Sequence, residues 1–199
     1  MNVIVQKHSG VFFIDGPGGT GKTFLYRTLM ASLRSRGEIV LATASSGIAA
    51  TLLPGGRTAH SRFKIPIDIQ PSSNCAIQKK KDLANLIRVV VAIIWDEAPM
   101  TNKNCLEALD RSLQDICSNS APFGGKVLIM GEDFRQVLPV IRKVLRHKLF
   151  QRVLFSLIYG IIPRFCICVK ICDHCMIKSL QNFLFALVMV SNLPNQMTW

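Results

Sequence analysis

The sequence predicts an α/β fold in which helices cover a mainly parallel sheet, and three observations carry that expectation. Short apolar runs alternate with stretches of helical periodicity. The run Val89-Val90-Val91-Ala92-Ile93-Ile94-Trp95 is unbroken, as expected of a parallel strand covered on both faces. The first run opens directly onto a glycine cluster with a helical stretch behind it.

Taken in order, Val11 to Asp15 reads as a buried strand. Lys22 to Arg36 reads as a helix, with Leu25, Leu29 and Leu33 on one face and Gly37 as its stop. Ile39 to Thr43 is a second strand, and Gly47 to Leu53 a short helix ended by Pro54. Phe63 to Lys81 has two prolines, two adjacent serines and the run Lys79-Lys80-Lys81, which reads as a solvated loop. After the Val89 to Trp95 strand, Leu106, Leu109, Leu113 and Ile116 mark a helix capped by Thr101 or Asn102. Lys126 to Met130 is one more strand. Such a succession places ligands at the carboxyl ends of the strands.

The 199 residues suffice for one full domain and are too few for two of the usual size. An apolar fraction of 49% with 18% charged residues excludes a disordered chain. No apolar run approaches the ~18 residues of a membrane helix, so no membrane is expected as a partner. The opening residues lack a basic segment followed by an apolar one, which leads us to expect an intracellular chain. In that setting seven cysteines read as thiols and not as a disulfide framework.

The net charge of +12 points to a polyanionic partner. It divides unevenly: residues 1–142 hold 17 basic and 11 acidic side chains, and residues 143–199 hold 7 and 1. The boundary at residue 142 therefore separates a conventional domain from an apolar, basic tail that is expected to fold poorly. Within that tail Leu149, Val153, Leu157 and Ile161 share one helical face. Cys166, Cys168, Cys172 and Cys175, with His174, have no second distant pair to close a zinc loop, so composition and not metal is the expected reading.

The strongest chemical signal is Gly16-Pro17-Gly18-Gly19-Thr20-Gly21-Lys22-Thr23, a glycine, four residues, then Gly-Lys-Thr, between the predicted strand and helix. This is the phosphate-binding loop of P-loop NTPases. Glycines let backbone N–H groups wrap phosphate oxygens, and the following helix aims its positive end at the same point. Lys22 is expected to reach the β- and γ-phosphates of ATP and Thr23 to hold Mg2+. Asp96 and Glu97, ending the most buried strand, are expected to complete the site, Asp96 in the Mg2+ shell and Glu97 as general base toward water. A plain glycine turn and a plain pair of strand-ending carboxylates are the competing explanations, and each loses force because the other motif is present.

Three further stretches narrow the reading: Ala42-Thr43-Ala44-Ser45-Ser46-Gly47-Ile48-Ala49-Ala50, Gly55-Gly56-Arg57-Thr58-Ala59-His60-Ser61-Arg62-Phe63, and Met130-Gly131-Glu132-Asp133-Phe134-Arg135-Gln136-Val137-Leu138-Pro139-Val140. With them, residues 9–142 resemble the petite-integration-frequency (Pif) family of superfamily-one DNA helicases, including the helicase part of Helitron transposons.

The resemblance implies a RecA-like three-layer sandwich and ATP-driven 5′-to-3′ translocation on single-stranded DNA. It further implies roles in repair, recombination and telomere maintenance, in the nucleus or mitochondrion. It assigns Gln136 to the γ-phosphate, and Thr43, Ser45, Gly47, Thr58 and His60 to the single-stranded DNA track. Hydroxyl, glycine and imidazole groups near strand ends suit contact without sequence readout.

Three features depart from the family pattern. Gln6 does not supply the family's upstream adenine-recognising motif, and Glu132 stands where a small glycine is usual. Past Ile141 no motif of the second RecA-like domain is found, and with it goes the arginine that completes the site. The alternative expectation is therefore an ATP- and DNA-binding fragment without unwinding activity. A clamp-loader-type ATPase is a third, distinguished by indifference to single-stranded DNA.

Overall fold

The computed structural model describes residues 10–132 and 166–170. Among these residues six strands lie in one sheet in the order β3-β2-β4-β5-β1-β6, and each of their pairings is parallel. They are β1 (Gly10–Asp15), β2 (Val40–Ala44), β3 (Arg57–Thr58), β4 (Ala92–Asp96), β5 (Val127–Glu132) and β6 (Cys166–Lys170). Among the described residues five α-helices lie between the first five strands: α1 (Lys22–Arg34), α2 (Gly47–Thr51), α3 (Ala59–Phe63), α4 (Asp82–Val89) and α5 (Lys103–Cys117). This is the α/β arrangement that the alternation of runs predicts.

Strand alternation divides the core into two layers. Phe12, Ile14, Val40, Ala42, Ala92, Ile94, Val127 and Ile129 face α1, where they meet Leu25, Tyr26, Leu29, Met30 and Leu33. Their neighbours Val11, Phe13, Leu41, Ile93, Trp95, Leu128 and Met130 point the other way, onto Ala84 and Ile87 of α4 and Leu106, Leu109 and Leu113 of α5. Phe63 closes this second layer against Trp95, ring centroids 6.4 Å apart. A sheet buried on both faces explains why β4 shows no polar alternation in the sequence.

Several boundaries move. The run expected to be one strand from Val89 is divided: α4 continues to Val89 and β4 begins at Ala92. Leu83, Leu86 and Ile87 recur at helical spacing, but the valines that end the helix merge with those that start the strand, and the junction is hidden. Arg88 pins the helix end by donating from Nε to the Ile116 carbonyl at 3.2 Å and from Nη2 to the Lys79 carbonyl at 2.9 Å. Helix α5 is capped by Asn102, whose side chain accepts from the Asn104 amide at 2.9 Å. The stretch from residue 64 to 81 is loop as expected, and Lys79 is tied to Asp115 of α5 at 2.6 Å.

Part of the tail departs from the expectation of poor folding. Cys166–Lys170 runs parallel beside β1, with Val11 opposite Cys166 and Asp15 opposite Lys170. Leu149 to Ile161 and Cys172, His174 and Cys175 lie outside the described residues. Among the described residues no helix is long and apolar enough to cross a membrane.

Candidate functional site

The phosphate-binding loop leaves β1 at the carboxyl edge of the sheet and enters α1. Gly19 and Gly21 take φ of 83° and 86°, the left-handed region that a side chain disfavours, which turns the backbone through the loop. Thr20 is buried and braces the loop from within, its hydroxyl donating to the Pro17 carbonyl at 2.7 Å. Gly18 and Gly19 form the exposed tip. The Lys22 ammonium reaches back along the loop to the carbonyls of Gly16 and Pro17, the latter at 3.0 Å. Thr23, one residue on, is half-buried in the first turn of α1.

Asp96 ends β4, two strands from β1, with β5 between them. In register, Gly131 of β5 lies beside Ile14 on one side and Asp96 on the other. All three point toward the α1 layer, where Tyr26 is wholly buried. A Cβ on Gly131 would stand 1.5 Å from the Tyr26 hydroxyl oxygen and 3.4 Å from Asp96 Oδ1. The missing side chain is thus the space through which the tyrosine reaches the carboxylate. Burial raises the Asp96 pKa, and the negative Glu97 adds to the rise; hydrogen bonds from the Glu97 amide and Tyr26, with the Lys22 charge, partly offset both.

Glu97 follows in an unusual conformation, φ 56° and ψ 30°, that turns its side chain out of the strand line. Its Oε2 is buried and accepts no hydrogen bond among the described residues. A carboxylate oxygen kept from bulk solvent and unpaired is an acceptor in waiting, the property a general base toward water needs. The donor set also fits a magnesium ion: a half-buried threonine hydroxyl, Thr23, and a buried carboxylate, Asp96, whose ionised form lacks full compensation, are hard oxygen donors of the kind the ion takes alongside water and phosphate oxygens.

The residues assigned to a DNA track fall in different places. Thr43 is fully buried, its hydroxyl donating to the Ile94 carbonyl across the sheet at 2.8 Å, so its side chain is not on any surface that DNA can touch. Ser45 is half-buried and bonded inward to the turn after β4. Gly47 is exposed at the start of α2, behind Ser46, which caps that helix by accepting from the Ala49 amide at 3.2 Å. Thr58 caps α3, accepting from the Ser61 amide at 3.4 Å. His60 Nδ1 lies 3.1 Å from the Ile65 carbonyl, which can only accept, so Nδ1 is the donor of that bond. Gln136 lies outside the described residues, as do Phe134 and Arg135.

Sequence reasoning missed Tyr26 and Gly131 as parts of the site. Tyr26 falls on the apolar face of α1 and reads as core, and the one available signal was the glycine at the end of an otherwise apolar strand.

With this geometry in hand, the comparisons with known proteins agree. A family model for PIF1-like helicase matches residues 1–160. The ATP-dependent DNA helicase RRM3 of Saccharomyces cerevisiae is 36% identical over 147 residues, covering 72% of this chain and 20% of that protein. The human ATP-dependent DNA helicase PIF1 is 31% identical over 139 residues, covering 69% and 21%. The crystal structure of Pif1 helicase from Bacteroides in complex with ADP-AlF3 and ssDNA superposes with a TM-score of 0.65 at 27% identity, covering 86% of this chain and 40% of that one. The chain thus spans about a fifth of the length of these curated relatives and two fifths of that solved chain. Matched by that model over most of its length, and carrying the phosphate loop opposite an Asp-Glu pair, the chain belongs to the PIF1-like helicase family.

Proposed function

We propose that this chain supplies the first motor domain of an ATP-dependent DNA helicase that moves 5′-to-3′ along single-stranded DNA. The observation that carries the reading is Glu97, with a buried carboxylate oxygen that has no hydrogen-bond partner among the described residues, one residue beyond Asp96 and across β5 from the phosphate loop. The backbone of Gly18 to Gly21 would cradle the phosphates, and Lys22 would exchange its loop carbonyls for the β- and γ-phosphate oxygens. Thr23 and Asp96 would hold Mg2+, which neutralises charge developing on the phosphates. Glu97 would take a proton from the attacking water, and Gln136 would sense the γ-phosphate.

Gly47, Thr58 and His60 would face the strand. The named relatives are ATP-dependent DNA helicases, and the solved structure with ssDNA supports that partner for this chain. Work in repair, recombination and telomere maintenance, in the nucleus or mitochondrion, accompanies the reading.

The test is ATP hydrolysis by the purified chain with and without oligo-dT, beside Glu97→Gln. We expect DNA-stimulated turnover that falls at least a hundredfold in the variant, within the usual contribution of a general base. Equal turnover in both proteins would remove Glu97 from the mechanism. ATP binding without any turnover would leave a nucleotide- and DNA-binding module and not a motor.

A further inference from the structure

Ser45 leaves β2 at the carboxyl edge of the sheet, and its hydroxyl has three neighbours. It donates to the Glu97 carbonyl at 2.5 Å, lies 2.6 Å from Thr101 Oγ1, and accepts from Trp95 Nε1 at 3.1 Å. A serine hydroxyl has one proton and two lone pairs. The carbonyl can only accept and the indole can only donate, which fixes the proton on the Glu97 side and one lone pair on the Trp95 side. The other lone pair takes the Thr101 proton. Ser45 even uses its main-chain N–H, donating to the Asp96 carbonyl at 3.1 Å. The side chain has no hydrogen-bonding capacity left for a DNA phosphate.

What these bonds hold is the turn bearing the proposed base. Glu97 has φ 56°, a conformation that costs a residue with a Cβ about 1 kcal/mol or more and persists only when its surroundings impose it. Ser45 grips the carbonyl of that residue. On its other side the chain continues into Ser46, Gly47 and Ile48, the last 82% exposed. A surface segment and the catalytic turn therefore meet at one side chain.

We propose that Ser45, backed by Trp95 and Thr101, is a positioning residue for Glu97 and not a DNA contact, and that it carries displacement of the Ser46–Ile48 segment by single-stranded DNA to the catalytic turn. The proposal rests on the helicase reading. It makes the Trp95 indole a reporter, because its N–H partner is the Ser45 hydroxyl itself.

The experiment uses the full chain with Trp199→Phe, which leaves Trp95 as the sole tryptophan of the two. Binding of labelled oligo-dT is followed by anisotropy, binding of a non-hydrolysable ATP analogue by titration, and Trp95 emission throughout. In the parent, adding oligo-dT shifts Trp95 emission. Ser45→Ala binds DNA and the analogue within about twofold of the parent, loses the emission response, and turns ATP over about tenfold more slowly, as for a displaced base. Ser45→Thr, which keeps the hydroxyl, restores both. Thr101→Val removes one bond only and shows the same loss in smaller degree, should Ser45→Ala fail to fold.

Loss of DNA affinity of about tenfold or more in Ser45→Ala, equivalent to ~1.4 kcal/mol, would overturn the proposal. So would a parent that binds DNA while Trp95 stays silent. A parent with no affinity for oligo-dT would instead bring down the helicase reading itself, and the coupling with it.

Discussion

At the scale of single residues, Asp96 shows how burial sets a working range. Its carboxyl is raised mainly by desolvation, so protons leave it at higher pH than an ordinary aspartate. The folded pKa lies above the unfolded one. The protonated form therefore favours folding below the unfolded pKa, and that contribution fades as pH rises through the folded value. Metal binding runs the other way, because Mg2+ requires the ionised form. As pH is lowered, the Mg2+ concentration needed for nucleotide binding should begin to rise at a higher pH than it would for a solvent-exposed aspartate in the same place. Titration of Mg2+ against a fluorescent ATP analogue at several pH values measures this. Asp96→Asn should flatten the dependence; an unchanged slope in that variant would place the titrating group elsewhere.

At the scale of elements, the junction of β5 with α1 makes the sharpest demand. Gly131→Ala would drive a methyl into the Tyr26 hydroxyl oxygen, 1.5 Å away, and onto the ring carbon that bears it, 2.8 Å away, beside a tyrosine that is wholly buried. We expect destabilisation of about 1–3 kcal/mol, the usual cost of overpacking, seen as a lower Tm. Tyr26→Phe in the same chain should recover part of it by removing the clashing oxygen, and a double variant no more stable than Gly131→Ala alone would show that the clash is not with Tyr26.

The same elements show what could be read in advance. β1, α1 and the loop between them follow from local pattern, because Gly19, Gly21 and Leu25, Leu29 and Leu33 each report their own backbone. The α4 to β4 boundary does not, since Val89 to Val91 suit either state and only packing decides. Thr43 and Ser45 were legible as members of a motif but not as inward-facing, because hydrogen bonds to Ile94 and Glu97 span 51 and 52 residues of sequence.

For the molecule as a whole, charge bears on partners. The net +12 belongs to the entire chain, and half of it comes from residues 143–199. If the chain grips single-stranded DNA through phosphates, the logarithm of affinity should fall linearly with the logarithm of salt concentration, with a slope of about −0.7 for each phosphate neutralised. Anisotropy titrations between low and moderate salt would give that slope. A value near zero would mean that the excess charge serves something other than nucleic acid.

The last strand of the sheet has a consequence for how the protein survives in solution. With β6 in place, β1 is an interior strand, hydrogen-bonded on both flanks to β5 and β6. Strip β6 away, and the strand that feeds the phosphate loop becomes a naked margin of unpaired N–H and C=O groups. That margin would carry Val11, Phe12, Phe13 and Ile14, an apolar template inviting strands from other molecules. Five residues, Cys166–Lys170, thus serve as a selvedge to β1, and losing them should make the chain more prone to aggregate through that margin.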